Sequence, residues 1–179
     1  MSNSTPHADK EFQKFGVALD NFPEFSAQLG VLISCFALIE DYMHRVISYS
    51  TNMDEQEAFF VSGSFSGFGA RITLLETLIK NKDAMLKEVI AAKYFVKTFK
   101  EASIIRNDYA HGKYSLTFEG ATKEKTMIIK SFLYDAKRRE PKIMRKNLKE
   151  IKEDVQRLKF IICELHAYIY RDEMPNSTE

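Results

Sequence analysis

The segment that follows Pro141 places Leu148, Ile151, Val155, Leu158, Ile162, Leu165 and Ile169 at alternating steps of three and four. A helix puts such positions on one side and a strand does not, so this spacing predicts a long helix with an apolar seam. The sustained seven-residue repeat fits a coiled-coil-like contact within a bundle or between subunits. The same spacing recurs from Pro23 onward, through Phe25, Leu29, Leu32, Phe36, Ile39, Met43 and Val46. Proline suits a first helical turn, where its missing N–H is not needed. A third set, Met85, Val89, Ala92, Val96, Phe99, Ala102, Arg106 and Tyr109, follows Asp83, a good N-cap. This set carries Arg106 at a position where an apolar residue is expected.

Between these segments the pattern changes. Glu55–Val61 predicts a short helix, and Phe68–Ile79 another, with Ile72, Leu75, Leu78 and Ile79 inward. The Gly63-Ser64-Phe65-Ser66-Gly67-Phe68-Gly69 stretch has glycines before a helix. It lacks the Gly-Lys-Ser/Thr of a nucleotide-binding loop and has no strand ahead of it, so it reads as a loop and cap. From Lys113 to Phe118 apolar and polar residues alternate, and Thr126–Tyr134 is rich in β-branched and aromatic residues. That pair predicts a β-hairpin at about 113–135. The fold class is therefore mainly α: a helical bundle with one hairpin inserted before the C-terminal helix.

A chain of 179 residues suits one domain, expected over 9–173, with polar tails at 1–8 and 174–179. Its 45% apolar content is that of a globule with a real core, not a disordered chain. The longest apolar run, Leu29 to Ile39, is closed by Glu40 and Asp41, so no membrane span and no membrane partner are expected. The start of the chain carries no basic and apolar leader pattern. Cys35 and Cys163 each sit in an apolar helical pattern, which predicts reduced thiols and a cytoplasmic location. With two cysteines and four scattered histidines, neither a metal site nor a cofactor is expected.

Net charge is +1, but it is unevenly spread: −6 over 1–60, +3 over 61–120, +7 over 121–160 and −3 over 161–179. Such a split favours association between copies or an anionic ligand on the basic part. Coating of a long helix by Lys and Arg would produce the same count.

The chemistry-bearing segment is Arg106-Asn107-Asp108-Tyr109-Ala110-His111-Gly112. Asn107 and His111 are four apart and share a helix face. Arg106 and His111 are five apart, about 140° around the axis, and converge only at a frayed helix end or in a groove that a second copy helps to build. Arginine presents a planar fork to phosphate, and histidine exchanges a proton near neutral pH. Together they suffice for phosphoryl transfer without a metal. The alternative is structural. Glu40, four after Phe36, is expected to face inward and to need a partner. Arg71 is the candidate for that ion pair, and Arg106 the other. His111 would then be a residue of the helix end, where Gly112 also belongs.

The motif Arg106-Asn107-Asp108-Tyr109-Ala110-His111 resembles the Arg-x4–6-His motif of the HEPN superfamily. Phe36-Ala37-Leu38-Ile39-Glu40 is similar to the first long helix of such proteins. Ser64 to Ile72, followed by Leu74-Leu75, resembles the mannitol operon repressor-like branch. The resemblance spans roughly 25–112. It implies a four- or five-helix fold, usually a homodimer with two motifs facing each other. It also implies a metal-independent endoribonuclease of the toxin or phage-defence kind, acting by ribose 2′-OH attack on RNA. On that reading Arg106 contacts the scissile phosphate, His111 is the general acid or base, and Asn107 orients His111. Tyr109, stacking on a base, and Lys113 complete the substrate-binding set; the alternative for Tyr109 is a core aromatic next to Phe99 on the same stripe. A toxin of this kind would bring a neutralising protein partner. Other members are catalytically silent regulatory or interaction modules, and the repressor-like resemblance points that way.

Overall fold

The computed structural model describes residues 19, 22–80, 82, 87–110, 112–119, 124–135 and 140–170, with backbone alone at 87, 112–119, 124–127, 130–135 and 140–142. The elements in chain order are helices α1 (Pro23–Thr51), α2 (Glu55–Gly63), α3 (Phe68–Lys80) and α4 (Lys87–Ala110), strands β1 (Gly112–Glu119), β2 (Glu124–Asp135) and β3 (Glu140–Asn147), and helix α5 (Leu148–Ile169). The chain is thus mainly helical, with its β element placed before the last helix. The expected tails and the Asp83 cap lie outside the described residues.

The expected stripe of α1 is buried throughout: Phe25, Leu29, Leu32, Phe36, Ile39, Met43 and Val46 are each no more than 7% exposed. Pro23 stands at the first helical position, and the Phe22 carbonyl ahead of it accepts from the Phe25 and Ser26 amides. By length and composition this helix could cross a membrane, with a mean hydropathy of 1.2 over its best window. A core helix passes the same test, and the buried stripe is that of a core helix, so the feature is insufficient to indicate a membrane span. In α5 the seam runs through Ile151, Val155, Leu158, Ile161 and Leu165, all buried, whereas Ile162 is only half-buried. The strict alternation expected there breaks by one residue. A straight helix of 3.6 residues per turn drifts away from a 3.5-residue repeat.

The chain divides into two compact units, each assembled from two segments. The first comprises residues to Ile33 and Arg106–Val155. It holds a three-stranded antiparallel sheet in the order β1-β2-β3. The expected hairpin is β1 and β2, with Tyr114 opposite Ile129 and Leu116 opposite Met127. The third strand corrects the expectation that Pro141 merely leads into the last helix: β3 pairs with β2, Pro141 opposite Tyr134 and Met144 opposite Ile129. β3 is an edge strand, where a proline's missing N–H costs no ladder bond and where Lys and Arg discourage further pairing. The register shifts between Lys130 and Tyr134, as a bulge requires. Asn147 then caps α5: its Oδ1 accepts from the Glu150 amide at 2.9 Å, and Glu150 Oε2 accepts from the Asn147 amide at 2.8 Å. This reciprocal pair satisfies two N–H groups that the helix itself cannot.

The second unit comprises Ser34–Ile105 and the residues from Gln156. Its core is aromatic. Phe68 meets Phe36 at 4.9 Å and Phe99 at 5.8 Å between ring centroids, both edge to face, the arrangement ring quadrupoles favour. The glycine-rich loop has a backbone role. Gly67 has φ +90°, a conformation that a side chain resists, and α3 starts at the next residue. α2 begins with a capping box, the Asp54 side chain accepting from Gln56 N at 2.8 Å.

Candidate functional site

Residues 106–110 of the motif form the last turn of α4 and belong to the first unit. Arg106 is half-buried and Asn107 is exposed. Arg106 Nη1 donates to Asn107 Oδ1 at 3.1 Å. The carboxamide oxygen expected to serve His111 thus also holds the guanidinium. α4 closes at Ala110 and β1 opens at Gly112. His111 itself lies outside the described residues, and so does the side chain of Lys113.

Of the two readings of Tyr109, stacking on a base and a core aromatic on the α4 stripe, the structure has the second: it is 0% exposed, and a base has no access to its ring. The α4 stripe carries it inward, and a buried phenol needs a polar partner. That partner is Asp154: the Tyr109 hydroxyl donates to Asp154 Oδ2 at 2.5 Å. Lys146 Nζ approaches the same oxygen at 3.1 Å. Burial first, and then the hydrogen bond to the Asp154 carboxylate, push the Tyr109 hydroxyl far above the ordinary tyrosine range. The three residues come from α4, β3 and the first turns of α5. They pin the strand-to-helix junction beside the motif. Sequence reasoning missed Asp154 and Lys146. The signal was faint: a tyrosine on an apolar stripe requires a partner, but nothing local says which residue supplies it.

Glu40 is half-buried on α1. Arg71, its expected partner, instead directs Nε to the Phe65 carbonyl at 3.4 Å, a contact from the first turn of α3 back to the loop before it. Among the described residues no ion pair joins Glu40 to Arg71. His44 lies four residues after Glu40 on α1, a spacing that would let it support Glu40 along the helix. It is buried and faces α2, with Nε2 3.4 Å from Glu55 Oε1, which Arg45 Nη1 also meets at 3.1 Å. Among the described residues, no group of three or more His, Cys, Asp or Glu is placed to hold a metal ion. Cys35 is buried and Cys163 exposed, both free thiols.

No family model, no curated protein and no solved structure matches the chain.

Proposed function

We propose that the chain is a HEPN-like, metal-independent endoribonuclease, with Arg106 and His111 as its working pair. The observation that carries this reading is the placement of Arg106: it is half-buried on the last helical turn before the junction, and its Nη1 donates to Asn107 Oδ1 at 3.1 Å. A planar guanidinium fork suits a phosphate. His111 follows five residues along the chain and supplies the proton-transfer group. In the reaction the ribose 2′-OH gives its proton to a base and attacks the neighbouring phosphorus. The bond to the 5′ oxygen breaks, and that oxygen takes up a proton. The products are a 2′,3′-cyclic phosphate and a 5′-OH, so DNA, lacking the hydroxyl, is not a substrate. Arg106 stabilises the charge that builds on the phosphoryl oxygens. The proposal includes a homodimer in which two motifs share one cleft, which supplies both an acid and a base. Free Cys35 and Cys163 are consistent with a reducing, cytoplasmic compartment, where RNA is at hand. A neutralising protein partner belongs to the toxin form of this reading.

A catalytically silent interaction module is the second reading. It is favoured by Phe59 and Phe60, adjacent on α2 and 55% and 62% exposed, since apolar exposure of this kind marks contact surfaces. The experiment that separates the two is incubation of the protein with total RNA in EDTA, with the ends of the fragments identified. Cyclic-phosphate ends support the nuclease. Intact RNA of every kind, at any protein concentration, favours the module.

A further inference from the structure

The second unit contains a groove of about 480 Å³ lined chiefly by Tyr49, Glu88, Ile90, Tyr94, Phe95 and Tyr168. Its volume falls in the range of small-molecule sites. Neighbouring rings stand at steep angles. Tyr49 meets Tyr168 at 5.0 Å and 68°, Phe95 meets Tyr168 at 4.8 Å and 58°, and Tyr94 meets Phe95 at 5.4 Å and 72°. A flat base needs two parallel faces to slide between, and these pairs provide none. The groove is thus walled by aromatic rings packed on one another, and an accessible face of such a ring attracts a cation.

The charges agree. Among the described residues, Glu88 is the one charged residue that lines the groove, and it is half-buried. Behind the Tyr94 wall, the tyrosine hydroxyl donates to Glu164 Oε1 at 2.6 Å. The other Glu164 oxygen is buried without a hydrogen-bond partner. Arg157 feels the Glu164 charge and is itself held by both oxygens of Glu101 at 2.5 and 2.7 Å. Ile90 and Tyr94 are 53% and 47% exposed, so the groove opens to solvent.

We propose that this groove binds a small organic cation of the quaternary-ammonium class, free in solution. The proposal stands independently of the ribonuclease reading. The test is calorimetric titration with choline and with 3,3-dimethyl-1-butanol, its uncharged carbon analogue of nearly the same shape. Choline is expected to bind saturably, at least about threefold more tightly than the alcohol, since a cation–ring contact at a partly exposed site is worth about that factor. Glu88→Gln and Tyr94→Leu should each weaken choline; Glu88→Gln should leave the melting temperature close to wild type, whereas Tyr94→Leu removes the donor to Glu164 and should lower it. Equal affinity for choline and the alcohol, no binding of choline, or choline binding unchanged in both variants would overturn the proposal. Co-sedimentation of the protein with phosphatidylcholine vesicles, lost in Tyr94→Leu, would move the ligand from a free cation to a lipid headgroup and overturn it in its present form.

Discussion

The Tyr109 hydroxyl donates to Asp154 Oδ2 at 2.5 Å, joining the end of α4 to the start of α5. Three residues before it on the same helix, Arg106 holds the candidate phosphate contact. The turn that carries the proposed chemistry is therefore anchored from beneath by a buried phenol and a carboxylate, with Lys146 at 3.1 Å sharing the charge. Tyr109→Phe is expected to keep the fold and to cost about 1.5–3 kcal/mol, the worth of a hydrogen bond to a charged group. Chemical denaturation of wild type and variant measures it.

The same contact makes a pH prediction. The folded state raises the Tyr109 proton affinity above that of the unfolded chain. The resulting stability is complete below about pH 10, the unfolded tyrosine value, and declines above it, where the unfolded chain loses a proton that the folded one keeps. Tyr42 and Tyr94 are shifted in the same direction. Melting temperatures between pH 8 and 11 should therefore fall above pH 10, and the fall should be shallower in Tyr109→Phe.

Asn147→Ala should cost about 1 kcal/mol through loss of the α5 cap. Asn147→Asp should cost little, because a carboxylate accepts the same amide and suits the helix N-terminus. Thermal melts of the two variants distinguish capping from any other role of the position.

The Glu101–Arg157 pair tests surface electrostatics. Its two-pronged hydrogen bonds hold the Glu101 carboxyl below its ordinary value. Any stability it gives is present above that ordinary value and is lost as pH falls through the depressed one. The side chains are 39% and 41% exposed, so solvent and salt screen the pair. Glu101→Gln should cost less than about 1 kcal/mol, and the cost should shrink in high salt.

Periodicity made the helices legible. Every expected stripe residue of α1 is buried, since burial of one face is what the spacing encodes. The α5 seam departs at Ile162 because helical geometry, not the repeat, decides which of two adjacent isoleucines turns inward. β3 was illegible for a different reason. Pro141, Ile143 and Met144 stand among its charged residues, and a lysine-rich edge strand resembles a loop until its neighbour is known. The motif could be read in order along the chain. The partnership of Tyr109 with Asp154 could not, because it joins residues 45 apart in sequence. For the same reason, Glu55 as the partner of His44 was invisible to an argument along one helix.

The central claim is that Arg106 and His111 cleave RNA. The most direct measurement is the cleavage rate of a defined single-stranded RNA in EDTA for wild type, Arg106→Ala, Arg106→Lys, Asn107→Ala and His111→Ala, with a melting curve for each. The account predicts cleavage by wild type and a loss of about 100–1000-fold in Arg106→Ala and His111→Ala. Arg106→Lys should fail as well, because an ammonium lacks the planar fork. Asn107→Ala should lose less, and all variants should melt near wild type. RNA left intact by the wild-type protein, with a large melting loss in Arg106→Ala and none in His111→Ala, would contradict it.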